Sequence, residues 1–143
     1  MIKKYHLDIN FEPDYELTLN EWGQWSADFD RHATDPIITN KIENLLSVEI
    51  VGSTYAVYMP GMKLDLHSDY SEYGTPIDGT CVVFLNTCSG GELVFPYKNK
   101  EFKPIKGDVI VFPATTEYSH KTNNVKSMKR VLICPWVYKN KVL

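Results

Sequence analysis

The sequence predicts a mainly β protein, a double-stranded β-helix (a jelly roll or cupin-like barrel) with one supporting N-terminal helix. The first observation is a succession of short apolar runs from residue 48 onward, separated by turn residues such as Gly, Asn and Pro. Many short strands with regular turn signals are typical of sandwiches and barrels. The second observation is an excess of aromatic residues, with nine Tyr, six Phe and three Trp. Aromatic side chains fit the pleated, half-buried surface of a sheet.

The first 47 residues predict a strand and a helix that support the barrel. Residues 4–10 alternate weakly between apolar and polar types, which favours an edge strand. Residues 14–34 are compatible with a helix or with irregular structure. Asp35-Pro36 indicates a helix start, because proline is favoured at the first helical position. The apolar face of this helix is then expected to consist of Ile37, Ile38, Ile42, Leu45 and Leu46.

Beyond residue 47 the pattern is that of one short strand after another. The predicted strands are Glu49–Tyr58, Thr80–Leu85, Glu92–Phe95, Val109–Phe112, Thr116–Lys121 and Lys129–Trp136. Thr80–Leu85 is almost continuously apolar, as expected for a strand that is buried on both faces. Lys98-Asn99-Lys100 indicates a polar hairpin tip, and Asn123-Asn124 indicates a turn between the last two strands.

Length and charge limit the class of protein. We expect one domain, residues 1–143, with residues 1–47 as the N-terminal support and residues 48–137 as the barrel. The formal net charge is −3 and only two arginines occur, so a nucleic-acid surface is not indicated. No apolar run has the length of a membrane span, and none follows the initial lysines as in a signal peptide. We therefore expect a cytoplasmic protein, monomeric or weakly dimeric, with reduced cysteines and no nucleic-acid or membrane partner.

His67-Ser68-Asp69 is the first spacing that indicates chemistry. Residues i and i+2 of a strand point to the same face, so an imidazole and a carboxylate would lie side by side. One further histidine completes the two-His-one-carboxylate triad of non-haem Fe(II) oxygenases. Such a triad leaves coordination positions open for bidentate 2-oxoglutarate and for dioxygen. The tripeptide alone is weak evidence, because it arises often by chance.

His120 is the candidate for the third ligand, because it is the only histidine downstream of this motif. His6 and His32 precede the predicted barrel. If the last turn is centred near residue 125, antiparallel pairing puts Arg130 opposite His120, with Cβ atoms ~5 Å apart. A guanidinium there could bind the distal carboxylate of 2-oxoglutarate through two parallel hydrogen bonds. A slip of one residue would turn Lys129 inward instead.

Further motifs follow in a fixed order along residues 48–137. They are Tyr58-Met59-Pro60-Gly61 before the His-x-Asp motif, Thr80 to Leu85-Asn86, Gly90-Gly91-Glu92-Leu93, Phe95-Pro96, Pro104, Gly107-Asp108, Phe112, and the ending His120, Arg130 and Trp136. Together they resemble the prolyl 4-hydroxylase-like branch of the iron(II)/2-oxoglutarate-dependent dioxygenases. The sequence departs from that pattern at Phe84, where many relatives place a tyrosine that reaches the cosubstrate. It also has Ser127-Met128 where relatives often have glycine.

The resemblance implies an enzyme that uses Fe(2+), 2-oxoglutarate and O2, with ascorbate as a further candidate. It implies hydroxylation of a prolyl residue in a peptide or protein, with release of succinate and CO2. By the same correspondence, Tyr58 contacts 2-oxoglutarate and Thr80 lines its pocket. The alternatives are a hydroxylase of another amino acid or small metabolite, and a jelly-roll binding module without catalysis. An intact triad with a basic residue argues against the binding module.

Residues 68–79 follow the metal motif and are polar and rich in tyrosine, which is typical of a lid or substrate loop. Tyr70 and Tyr73 are candidates for stacking on a proline ring of the substrate. Trp136 is a third candidate, and its alternative role is to fill the barrel core.

Overall fold

The computed structural model describes residues 1–10, 17–21, 24–30, 36–69, 71–72 and 75–139. Among these residues the chain forms one α-helix, α1 (Pro36–Leu46), and fourteen strands. The strands are β1 (Lys3–His6), β2 (Thr18–Leu19), β3 (Trp25–Asp30), β4 (Val48–Ile50), β5 (Gly52–Tyr58), β6 (Leu64–His67), β7 (Ser71–Glu72), β8 (Thr75–Pro76), β9 (Gly79–Phe84), β10 (Leu93–Phe95), β11 (Lys100–Phe102), β12 (Asp108–Pro113), β13 (His120–Thr122) and β14 (Lys129–Tyr138). Two short 3-10 turns lie at Pro96–Lys98 and Thr116–Tyr118.

Two antiparallel sheets form the jelly roll. The major sheet has the order β1-β12-β9-β14-β5-β3-β2, with β4 also paired to β14. The minor sheet has the order β11-β10-β13-β6. The strands β7 and β8 pair only with each other within the described part of the chain. Strands distant in sequence are therefore neighbours in both sheets, and this arrangement brings residues near 67 and 120 together.

Apolar side chains cover both faces of the major sheet. On one face Val83 and Cys134 pack with Ile42 of α1. On the other face, towards the minor sheet, Phe84 packs with Phe95 of β10. Because alternate residues of β9 enter the two clusters, β9 is buried along its whole length, as its apolar sequence predicts. Burial of each such side chain contributes about 1.5–3 kcal/mol of hydrophobic free energy.

The predicted elements correspond to observed ones at most positions. The edge strand is β1, the helix begins at Pro36, and the strands predicted from residues 80, 92, 109 and 129 are β9, β10, β12 and β14. The range 49–58 contains two strands, β4 and β5. They are separated at Val51, whose N–H donates to the Pro135 carbonyl over 2.9 Å. Pro135 has no N–H to return, so the ladder with β14 is interrupted there.

Two further regions differ from the prediction. The range 116–121 is a 3-10 turn followed by the short strand β13. The undecided range 14–34 contributes β2 and β3, which extend the major sheet beyond β5. The strands before α1 are thus part of the major sheet, which is one of the two sheets of the jelly roll.

The predicted hairpin between the last two strands is wrong. The strand β13 pairs with β6 and β10 in the minor sheet, whereas β14 pairs with β9, β5 and β4 in the major sheet. Residues 123–128 therefore cross from one sheet to the other. As a result, Val57 is the residue opposite Arg130, and His67 is the residue opposite His120. Among the described residues, no helix has both the length and the apolar character that a membrane span requires.

Candidate metal and cosubstrate site

His67 and His120 form a direct cross-strand pair between β6 and β13. Their ring centroids lie 4.3 Å apart, with the rings inclined by 64°. The His120 ring also packs against Phe112, with centroids 4.7 Å apart, and against Phe95 at 5.5 Å. These phenyl rings pack around His120 in the interior of the barrel, while His67 lies on the edge strand of the minor sheet.

The hydrogen bonds of both histidines leave the same ring nitrogen available. Nδ1 of His67 lies 2.8 Å from the carbonyl oxygen of Asp65, and Nδ1 of His120 lies 3.1 Å from that of Tyr118. A carbonyl oxygen only accepts, so each Nδ1 carries the proton and donates it. The lone pair is then on Nε2 in both rings. Backbone contacts of this kind orient metal-binding imidazoles in proteins.

Asp69 completes the cluster from a position just beyond the end of β6. Its Oδ1 lies 3.8 Å from His67 Nε2, and its Oδ2 lies 3.4 Å from His120 Nε2. One ligand atom from each of the three residues lies within 4.8 Å of the others. The motif does not sit on one strand face as predicted, because β6 ends at His67. The turn after β6 nevertheless brings the carboxylate to both imidazoles.

The cluster has a buried side and an open side. The side chain of His120 is 7% exposed, whereas those of His67 and Asp69 are 32% and 29% exposed. Burial lowers the pKa of His120, the Asp69 carboxylate opposes this effect, and the neighbouring His67 adds to it. The net lowering of the pKa favours the neutral imidazole that binds a metal ion.

Behind the buried side lies a cavity of about 60 Å³ between the two sheets. The major sheet lines it with Tyr58, Thr80, Val82, Lys129, Val131 and Ile133, and the minor sheet and the turn after β6 line it with Leu64, His67, Asp69, Leu93, His120 and Thr122. Alternate residues of β14 enter the cavity, which agrees with the period of a strand. The triad thus opens directly onto a small, mixed polar and apolar cavity.

Lys129 is the basic residue of this cavity. It is 2% exposed, and its Nζ donates to the Gly91 carbonyl over 2.8 Å. Nζ also lies 4.9 Å from the ring centroid of Tyr58, the residue opposite it on β5, and 5.4 Å from that of Phe84. Burial lowers the pKa of Lys129 to about 8. No carboxylate of the described residues forms an ion pair with it, so the cavity contains a buried cation suited to an anionic ligand.

Arg130 occupies the opposite face of β14, which corrects the predicted inward orientation. Its backbone N–H donates to Asn86 Oδ1 over 2.7 Å, and the side chain is half-buried outside the cavity. The physical reason is the strand period, because neighbours on β14 face opposite sides and Lys129 faces the minor sheet. The sequence left this choice open, and the register with β5 and β9 decides it.

Trp136 is also turned away from the metal triad. It lies in the cluster between the major sheet and α1, where its ring packs over Gly79. A Cβ added at Gly79 would lie 2.0 Å from the Trp136 ring, so glycine leaves the space that the indole fills. The predicted substrate contact of Trp136 is therefore replaced by a packing role. Tyr70 and Tyr73 lie outside the described residues.

Tyr58 and Thr80, the two residues that the family resemblance assigns to 2-oxoglutarate binding, both line the cavity. Thr80 is buried, and among the described residues its Oγ1 has no hydrogen-bond partner. A buried hydroxyl without a partner is costly, so this atom fits a polar ligand. Burial raises the pKa of Tyr58 to about 12, which keeps its hydroxyl protonated. Thr122 and Gln24, which sequence reasoning missed, lie beside that hydroxyl.

A comparison with family models supplies the observation that identifies this site. Residues 53–138 match the 2OG-Fe(II) oxygenase superfamily. The chain belongs to this superfamily. The matched range includes His67, Asp69, His120 and every major-sheet residue that lines the cavity. Fe(II), 2-oxoglutarate and O2 are therefore the cofactor and cosubstrates of this oxygenase, and its donor set of two imidazole nitrogens and one carboxylate suits Fe(II).

Solved structures of prolyl hydroxylases have the same fold as this oxygenase. A collagen prolyl hydroxylase of Paramecium bursaria Chlorella virus-1, solved with 2-oxoglutarate, is 23% identical with a TM-score of 0.67, covering 79% of this chain and 77% of that one. A prolyl-4-hydroxylase of Pseudomonas putida is 18% identical with a TM-score of 0.69, covering 87% and 79%. A prolyl hydroxylase of Trichoplax adhaerens, bound to a hypoxia inducible factor peptide, is 18% identical with a TM-score of 0.65, covering 80% and 63%. Comparison with curated protein sequences gives no match.

Proposed function

We propose that this oxygenase hydroxylates a prolyl residue of a peptide or protein, coupled to conversion of 2-oxoglutarate into succinate and CO2. The observation that carries the proposal is the two-sided triad. One side faces a partly enclosed cavity with a buried ammonium group, and the other side is open. A small anionic cosubstrate and a large second substrate would thus reach the metal from different directions. We take residues 1–143 to act as one domain in this reaction.

The cavity on the buried side of the triad fits 2-oxoglutarate. His67, Asp69 and His120 would hold Fe(II), and Lys129 would pair with the distal carboxylate at the far end of the cavity. The hydroxyls of Tyr58 and Thr80 would donate hydrogen bonds to the same anion, which would give Thr80 Oγ1 the partner that it lacks among the described residues. When bound, Fe(II) supplies the redox chemistry that couples O2 to decarboxylation of the cosubstrate and to C–H oxidation. The apolar lining from Val82, Leu93, Val131 and Ile133 would limit the access of water to the reacting groups.

The open side fits a polypeptide. A surface groove of about 360 Å³ begins at His67 and runs along β6, bounded by Glu21 and by residues 63–66. This groove is far larger than the cavity behind the triad, and the described residues leave it open to solvent, with space for more than a free amino acid. The three similar solved structures are prolyl hydroxylases, and one of them holds a peptide. Both observations support a prolyl residue presented within an extended chain.

The test is a screen of proline-containing peptides, including collagen-like sequences, with the Fe(II)-loaded protein, 2-oxoglutarate and O2. We expect one added oxygen atom in the mass of a peptide, in a one-to-one ratio with succinate. Replacing the modified proline by alanine should abolish the gain. The matched protein controls are His120→Ala, which removes a ligand, and His6→Ala, which changes an exposed histidine bonded to Asp108. Oxidation of a free amino acid or metabolite, with all peptides unchanged, would overturn the proposed substrate.

A further inference from the structure

We propose that Gln24, clamped by Asn20, is a positioning residue that fixes the Tyr58 hydroxyl as a hydrogen-bond donor to 2-oxoglutarate. The inference rests on the proposed binding of the cosubstrate beside Tyr58 and deepens it. It also gives a role to part of the range 14–34, which the sequence left undecided between a helix and irregular structure. The observations behind it are burial, hydrogen-bond partners and the chemistry of amide groups.

Gln24 reaches the site from the start of β3. The strands β3 and β5 are paired, with Trp25 opposite Val57, so the residue before Trp25 lies next to Tyr58. The Gln24 side chain is buried, and its Nε2 donates to the Tyr58 hydroxyl oxygen. The cavity lining on this side is therefore supported by a polar side chain from outside the cavity.

The direction of this hydrogen bond follows from a backbone group. The N–H of Gln24, which only donates, lies 3.0 Å from one side-chain atom of Asn20, and that atom is consequently the carbonyl oxygen Oδ1. The other Asn20 atom is then Nδ2, which donates to Gln24 Oε1 over 2.8 Å. The remaining Gln24 atom is Nε2, and it donates to Tyr58. The Gln24 backbone N–H therefore determines the orientation of the Asn20 amide, and the Asn20 amide determines that of the Gln24 side chain.

This direction decides where the Tyr58 proton points. Because the hydroxyl oxygen accepts from Gln24, its own proton must go to another acceptor. Thr122 is the neighbouring hydroxyl within hydrogen-bonding reach, and it lines the cavity with Tyr58. A threonine hydroxyl both accepts and donates. It can accept the Tyr58 proton before the cosubstrate enters, and it can turn away when a carboxylate takes its place.

The consequence is preorganisation of the cosubstrate pocket. A donor that is already oriented spends no free energy on reorientation when the anion binds. Burial keeps Tyr58 protonated, so the group remains a donor at physiological pH. Lys129 lies opposite Tyr58 on β14, so the anion would meet an oriented hydroxyl and an ammonium group together.

The test compares Gln24→Glu and Gln24→Met in the Fe(II)-loaded, oxygen-free protein. A carboxylate at residue 24 would accept the Tyr58 proton and turn it away from the cavity, so the Kd for 2-oxoglutarate should rise about 10- to 100-fold. The methionine side chain neither donates nor accepts strongly, so Gln24→Met should give a smaller increase. Fe(II) affinity should be unchanged in both variants, since neither change touches a ligand.

A double-mutant cycle separates orientation from charge and from folding. In a Tyr58→Phe background, Gln24→Glu should no longer weaken 2-oxoglutarate binding, because the hydroxyl that it redirects is absent. An equal loss in both backgrounds would indicate charge repulsion and overturn the inference, as would wild-type affinity in both Gln24 variants. If the wild-type protein itself binds no 2-oxoglutarate, the proposed function fails together with this inference. The two failures are therefore distinguishable.

Discussion

The buried ammonium group of Lys129 has opposite effects on folding and on binding. Burial lowers its pKa from the usual 10.5 to about 8 in the folded protein. Because one pKa unit corresponds to about 1.4 kcal/mol, the charged group destabilises the metal-free fold by about 3 kcal/mol at neutral pH. Lys129→Met keeps the length of the side chain and removes the charge. We expect it to raise the free energy of unfolding by up to about 3 kcal/mol.

The lowered pKa of Lys129 also predicts the direction in which the free energy of unfolding changes with pH. Between the folded pKa of about 8 and the usual 10.5, the unfolded chain binds more protons than the folded protein. Stability of the wild-type protein should therefore rise across that window, relative to the Lys129→Met variant. Below about pH 8 the difference in the free energy of unfolding between the two proteins should be at its largest and should no longer change with pH. Urea denaturation of both metal-free proteins across this range measures it.

The Lys129→Met substitution should also weaken the binding of 2-oxoglutarate. Removing one partner of a buried ion pair costs about 3–5 kcal/mol, so 2-oxoglutarate affinity should fall by about 100-fold or more. The measurement is an anaerobic titration of the Fe(II)-loaded protein with 2-oxoglutarate. Arg130→Met is the matched control on the opposite face of β14 and should keep the affinity. Retained affinity in Lys129→Met together with lost affinity in Arg130→Met would refute the placement of the cosubstrate.

Further outcomes for Lys129, His120 and Trp136 follow from the geometry. The affinity for 2-oxoglutarate should fall as the pH rises past about 8, where free Lys129 loses its proton, and a binding profile that stays flat well above that pH would contradict the ion pair. His120→Ala should abolish the visible absorption band expected when Fe(II) and 2-oxoglutarate are added together without oxygen, whereas His6→Ala should keep it. Trp136→Ala should lower the free energy of unfolding by about 3–5 kcal/mol because the indole fills the core beside α1. Trp136→Phe should leave the KM for peptide unchanged, and a raised KM would restore the substrate role predicted from the sequence.

Local pattern predicts the elements of this protein better than their pairing. The strand β9 was predictable because a continuous apolar run is expected where both faces are buried. The partner of β13 was not, because alternation along a strand does not say which sheet the strand joins. Asn123-Asn124 does lie between the last two strands, but the chain crosses there from the minor sheet to the major sheet instead of forming a hairpin.

The candidate site was likewise predictable in its local motifs but not where it depends on strand register or on distant hydrogen bonds. The spacing of His67 and Asp69, with His120 as the sole downstream histidine, identified a cluster that the structure brings within 4.8 Å. The choice between Lys129 and Arg130 depends on register, and a one-residue change reverses it. Gln24 carried no signal, because its role depends on a hydrogen bond to a residue 34 positions away.

The position of β6 has a consequence for the lifetime of the protein. This strand is the edge of the minor sheet, and its pairing with β13 is irregular between residues 120 and 122. A metal ion shared by His67 and His120 would join the edge strand to the interior one, in addition to a few backbone hydrogen bonds. We therefore expect the iron-free protein to fray first at β6 and to expose residues 64–67 to proteases. Iron supply would then set the abundance of this enzyme as well as its activity.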